Sequence, residues 1–194
     1  MRTTTILAMA AAAGGCAWAQ SVHPAEHATG QAVTVCMKFG FDVLPLGRAE
    51  ELASTMFAAI GVEIEWSRRD DCYLRGGAIV VTLSYETPAS EYNGAYAFAK
   101  PYEATHIVVF WDHVQHKVPP PRAPTLLAHV LVHEITHILQ RVSRHSETGV
   151  MKAAWNADDY FQMGKKPLEF TDEDVNLIYL GIAARSRAQL SPAK

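Results

Sequence analysis

The sequence predicts one α+β domain: a twisted mixed sheet of about five strands, a buried helix, and a C-terminal helix. Three observations carry that expectation. The chain has 194 residues, 49% of them apolar and 19% charged, which suits one buried core and excludes a wholly disordered chain. Short β-branched runs alternate with stretches of helical rhythm up to residue 111. Residues 125–141 are apolar on nearly every side of a helix, the pattern of an element enclosed by the rest of the fold. The formal net charge is −3, from 17 basic and 20 acidic side chains with no basic block, which argues against nucleic acid as the main partner. Nine histidines are the compositional oddity.

The chain begins with an address. Met1-Arg2 is a short positive start, residues 6–13 are apolar, and Ala17-Trp18-Ala19 is a small-x-small cleavage pattern, so residues 1–19 read as a signal peptide. The run is too short and too rich in Ala and Gly for a transmembrane helix, and no later run is longer. Export to the periplasm or the medium, with no membrane span, is the expectation. A lipid anchor at Cys16 fits poorly, because Ala13-Gly14-Gly15 lacks the branched aliphatic residue expected before it. Cleavage removes Cys16 and leaves Cys36 and Cys72, expected to pair in an oxidising compartment. Closing that segment contributes roughly 3–4 kcal/mol by chain entropy.

Residues 20–32 are polar, with Pro and Gly, and read as a flexible arm. The domain proper spans 33–185, and 186–194 read as a loose tail. Within the domain, 33–39 form a β-branched strand containing Cys36. Residues 46–60 form a helix with Leu52, Met56, Phe57 and Ile60 on one side and Gly61 as its stop. Strands follow at 63–66 and 78–85, then a turn-rich stretch at 88–94, a weaker strand at 95–99 and a strong one at 106–111. Four prolines make 117–124 an extended loop that delivers the chain into the buried helix. The last helix starts after Thr171 as N-cap, with Asp174 completing the capping pattern and Val175, Ile178, Tyr179 and Ile182 as its apolar stripe.

The buried helix carries the chemistry. Among its apolar residues stand His129, His133, Glu134, Thr136, His137 and Gln140, and such groups cost several kcal/mol when buried without partners. A bound metal is one such partner. His133-Glu134-Ile135-Thr136-His137 is an H-E-x-x-H motif, whose spacing puts two imidazoles one turn apart on one face, able to grip one Zn²⁺. Glu134 points to the side of that pair, where it reaches a water on the metal and not the metal itself. His129 extends the same stripe, but three histidines at this spacing span about 12 Å of helix. One tetrahedral ion cannot hold all three, so His129 is expected to pack behind the site or support it. The third ligand must come from beyond the helix, which should end near Arg141. His145 is the leading candidate, with Glu147, Asp158, Asp159 and Glu173 as carboxylate rivals.

His133-Glu134-x-x-His137, followed by His145 and Met151, resembles the zincin metalloproteases and more narrowly the metzincins. The segment from His145 to Met151 is also similar to a group of exported bacterial zincin-like proteins. The resemblance implies a third histidine after the helix, and a methionine in a tight turn beneath the metal. It also implies an edge strand, here 95–100, against which a peptide lies main chain to main chain. Metzincins keep five residues, one of them Gly, between the second and third histidines; here seven intervene without Gly, and Ser143 stands where the third histidine would fall.

The expected function is zinc-dependent hydrolysis of peptide bonds by one catalytic Zn²⁺ on His133, His137 and His145, with Glu134 as general base. Tyr160 is a candidate for stabilising the oxyanion. The partner is a peptide or protein substrate, and a monomer is the default. The alternative is an exported zinc-binding domain that engages a protein partner without turnover, with residues 20–32 able to mask the site through His23, Glu26 or His27. His113 and His116, three apart near a strand end, read as solvated polar residues with a surface metal as the rival reading. The aromatics between Tyr92 and Tyr102 line a groove or pack on the sheet.

Overall fold

The computed structural model describes residues 32–38, 46–74, 76–85, 94–99 and 105–190. The expected signal peptide, the arm up to residue 31, and Tyr92, Lys100, Tyr102 and residues 191–194 lie outside them.

Period-two burial builds the sheet. In β1 (Val33–Lys38), Val33, Val35 and Met37 turn into the main core, whereas Cys36 turns to the opposite face. The other strands are β2 (Ile64–Ser67), β3 (Ile79–Ser84), β4 (Ala97–Ala99) and β5 (His106–Phe110). Their order is β2-β1-β3-β5-β4, parallel throughout except for β4, which runs antiparallel to β5 at the edge. The five expected strands are thus all present, including the edge strand.

The disulfide lies on the far face. Cys36 pairs in register with Val80, and the 3₁₀ turn Cys72–Leu74 folds over them so that Cys36 and Cys72 are joined, Cα to Cα 5.9 Å. Both cysteines are buried with Ala78 and Val80 in a small cluster of their own.

The other face is covered by helices. α1 (Leu46–Ala58) packs against α3 (Ala123–Gln140), and α5 (Asp172–Leu190) packs against α3 as well. The closeness of the second contact depends on Gly181: a Cβ there would run into the carbonyl oxygen of Leu139. Ile178 is fully buried at this contact, with Tyr179 and Ile182 packed against the core.

Four features differ from the sequence expectation. α3 begins at Ala123, because Pro124 falls in the first turn, where a helix loses no hydrogen bond to proline. The expected extended loop before it contains a 3₁₀ turn, Pro120–Arg122. Two short helices were not expected: α2 (Trp111–Lys117), which buries Trp111 and Val114, and α4 (Ala157–Met163). α4 is opened by a reciprocal capping box between Asn156 and Asp159. Finally, α5 runs to Leu190, past Ser186, where order was expected to end. Among the described residues, no helix is long and apolar enough to cross a membrane.

Candidate metal centre

α3 presents His133 and His137 one turn apart, their Nε2 atoms 3.1 Å from each other. The helix then stops at Gln140. Arg141 adopts a left-handed conformation (φ 58°) and donates its N–H to the His137 carbonyl at 3.0 Å. That reversal carries His145 back to the pair, its Nε2 3.3 Å from that of His137. The seven-residue gap therefore closes because the helix continues through Gln140 and the chain turns at Arg141. Ligand-capable atoms of the three imidazoles all lie within 4.8 Å of one another.

Two of the rings are fixed from behind. His133 Nδ1 donates to the Val150 carbonyl at 2.9 Å, and His137 Nδ1 donates to the Val142 carbonyl at 3.1 Å. A carbonyl only accepts, so the proton of each neutral ring sits on Nδ1 and Nε2 keeps a bare lone pair. Burial, helped by neighbouring histidines, pushes His133 and His137 down to about 4, so both rings are neutral at pH 7. Two bare lone pairs 3.1 Å apart form no hydrogen bond; they repel. A cation between them removes the conflict. A tetrahedral ion with bonds of about 2.0–2.1 Å sets its ligand atoms about 3.3–3.4 Å apart, close to the 3.1 and 3.3 Å that separate His137 Nε2 from those of His133 and His145. The residues therefore fit a metal ion. Partial burial and the neighbouring Arg144 push His145 down as well.

Glu134 lies beside the triad with 8% of its surface exposed, and burial pushes its carboxyl up to about 8. His129 takes no place in the cluster. Its Nδ1 donates to the Thr125 carbonyl at 2.7 Å and its Nε2 accepts from the Leu168 N–H at 3.1 Å, which uses both nitrogens. None of the carboxylate rivals joins the imidazoles. Asp159 binds Lys152 at 2.5 Å, Glu173 binds Arg144 at 2.6 Å, Asp158 sits in the first turn of α4, and Glu147 is exposed. His113 and His116 stand on α2, which follows directly on the end of β5. Their Nδ1 atoms bind the carbonyls of Ala95 and Asp112.

Met151 ends a tight turn. Ser146 N–H donates to the Met151 carbonyl at 2.8 Å, and Val150 N–H donates to the Glu169 carbonyl at 3.0 Å. Gly149, at φ 76°, makes the bend, and Met151 is fully buried. The turn matters to the site because Val150 supplies the carbonyl that holds His133.

A cleft of about 440 Å³ opens over the triad, with the edge strand β4 along one wall and Tyr96, Trp155 and Tyr160 along it. The Tyr96 and Tyr160 hydroxyls are hydrogen-bonded at 2.7 Å. Trp155 stacks on Tyr96 (6.3 Å between centroids) and meets His133 edge-on at 5.7 Å. Burial and the Tyr160 contact push the Tyr96 hydroxyl up, so it stays protonated. Neither Trp155 nor the two anchoring carbonyls was singled out from the sequence. The histidine spacing could not reveal them, because the carbonyls come from residues of no special type.

A mixed sheet closed by an antiparallel edge strand thus stands over a helix bearing H-E-x-x-H and a third converging imidazole. The fold is similar to that of archaemetzincin from Methanopyrus kandleri, with a TM-score of 0.52 over 80% of this chain and 98% of that one at 17% identity. It is also similar to a zinc-dependent peptidase from Methanocorpusculum labreanum, with a TM-score of 0.51 over 76% of this chain and 100% of that one at 10% identity. At these identities the likeness is one of fold. No protein-family model and no curated protein matches the sequence.

Proposed function

We propose that the protein is a zinc-dependent metallopeptidase in which His133, His137 and His145 hold one Zn²⁺. The observation that carries this reading is the convergence of three imidazoles, two with bare Nε2 lone pairs, at the floor of a cleft walled by the edge strand β4. A fold neighbour that is a zinc-dependent peptidase supports zinc as the ion. When bound, zinc supplies a Lewis acid that polarises the scissile carbonyl and makes water a competent nucleophile near neutral pH.

The chain's own groups do the rest. Among the described residues β4 is the last strand of the sheet, beyond β5, and the substrate main chain would lie along it. Glu134 is protonated in the metal-free fold; positive charge beside it lowers its pKa and leaves a carboxylate. That carboxylate takes the proton of the attacking water and passes it to the leaving amine. Tyr160, tied to Tyr96 on the cleft wall, would stabilise negative charge developing on the carbonyl oxygen. The Cys36–Cys72 disulfide supports an oxidising compartment, in keeping with export through residues 1–19.

The purified protein should contain equimolar zinc and cleave an unstructured protein such as casein. Glu134→Ala should retain zinc and lose about 10²–10⁴-fold in rate, the usual contribution of a general base. Equal cleavage by wild type and Glu134→Ala refutes the assignment. Equimolar zinc with no hydrolysis of any peptide pool leaves the reading of a zinc-bound interaction domain.

A further inference from the structure

His145 differs from its two partners in how it is held. Val150 and Val142 carbonyls orient His133 and His137 directly, but among the described residues nothing binds Nδ1 of His145. Its ring must be placed by the backbone on either side of it. Both neighbours of His145 are seized by one carboxylate. Oδ1 of Asp174 accepts from Arg144 Nη1 at 2.8 Å and from Ser146 Oγ at 2.7 Å. Its Oδ2 accepts from the N–H and hydroxyl of Thr171, at 3.0 and 2.7 Å. The Asp174 side chain is fully buried, and its backbone carbonyl accepts from Gln140 Nε2 at 3.2 Å, which ties the end of α3 to the same point.

We propose that Asp174 is a positioning residue for the third metal ligand: from the start of α5 it clamps Arg144 and Ser146, and so fixes where the His145 imidazole meets those of His133 and His137. A helix cap requires only the Thr171 half of this arrangement. The other half reaches about thirty residues back along the chain and serves the ligand loop.

This inference rests on the metal-site reading of the three histidines, and its test separates the two. The metal-free full-length protein is titrated with Zn²⁺ against a chromophoric chelator, and with Co²⁺ while its visible absorption is followed. Ser146→Ala removes a loop-side bond and leaves the Thr171–Asp174 bonds in place; Thr171→Ala removes the cap hydroxyl and, on the loop side, only its long 3.5 Å contact with Ser146 Oγ; Asp174→Asn weakens both. Outer partners of metal ligands are typically worth about 10–100-fold in affinity. Asp174→Asn and Ser146→Ala should therefore bind zinc at least about tenfold more weakly and give an altered Co²⁺ spectrum. Thr171→Ala should lower the melting temperature while leaving affinity and spectrum unchanged. Wild-type affinity and spectrum in Asp174→Asn, or in Ser146→Ala if Asp174→Asn does not fold, overturn the positioning role alone. Failure of the wild type to bind either ion overturns the metal-site reading beneath it.

Discussion

Gly149→Ala tests whether the turn containing Met151 supports the metal centre or merely follows it in sequence. Two penalties add. Gly149 has φ 76°, and holding an L-residue there costs about 1–2 kcal/mol. The new Cβ would also collide with the Glu169 carbonyl oxygen, the acceptor for Val150 N–H, and overpacking of this kind costs about 1–3 kcal/mol. A total of about 3 kcal/mol corresponds to a fall of roughly 6–12 °C in melting temperature for a domain of this size. The strain is released by moving Val150, whose carbonyl fixes His133, so zinc affinity should fall by about 10–100-fold as well. Calorimetry of the metal-free protein reads the first effect, and chelator competition reads the second. A variant with the wild-type melting temperature refutes the geometry of the turn. One that melts early but binds zinc normally refutes the link from turn to ligand.

Gly181→Ala should be destabilising, although alanine is the better helix former by about 1 kcal/mol. The Leu139 carbonyl leaves no room for a Cβ, so the helices must separate at a net cost of about 1–3 kcal/mol, and a urea midpoint above wild type would contradict the close approach. The metal-free protein should also lose stability in acid in two stages. Burial holds His129, His133 and His137 below their ordinary 6.5, so the unfolded chain takes up the extra protons and their contribution, complete above that value, erodes as pH falls through it; burial holds Glu134 above its ordinary value, so its contribution grows over the same fall, and Glu134→Gln removes that opposing change. Burial alone would raise Asp174, but bonds from Thr171, Ser146 and Arg144 outweigh it and hold the carboxyl below 3.8; its contribution persists to that pH and is lost below it. Denaturation midpoints of metal-free Glu134→Gln between pH 8 and pH 3 measure both stages, and a midpoint flat from pH 8 to pH 5 in that variant would contradict the first.

What the sequence disclosed follows the range of the interactions involved. The two helical histidines were legible because a spacing of four fixes their relation within one turn, whatever the rest of the fold does. The five strands were legible because branched apolar runs bury on a sheet, and their bounds shifted by only a few residues. α2 and α4 were missed for want of length, although Trp111 with Val114 and Asn156 with Asp159 were local signals that could have shown them. The site's supports were illegible for another reason. The Val142 and Val150 carbonyls belong to the backbone, and a sequence does not say where a backbone group will point. Asp174 was read as a cap because Thr171 is three residues away, while its grip on Arg144 and Ser146 crosses about thirty.

The seven-residue gap and the Asp174 clamp belong to one argument. A longer connection between second and third ligands fixes the third less by its own stiffness, since each added residue brings backbone freedom that must be removed. If the turn at Arg141 placed His145, the conformation of Arg141 would control metal affinity; if the clamp does, that conformation controls only stability. Arg141→Gly separates the cases. Glycine accepts φ 58° freely, which relieves about 1–2 kcal/mol of native strain. Its greater freedom in the unfolded chain returns about 0.5–1 kcal/mol of that. The loss of a like charge near Arg185 acts in the favourable direction. The variant should therefore be as stable as wild type or up to about 1 kcal/mol more stable, with zinc affinity within about twofold, because the bonds from Arg144 and Ser146 to Asp174 are untouched. A loss of zinc affinity as large as that of Asp174→Asn, in a protein of undiminished stability, would show that the turn and not the carboxylate places the third imidazole.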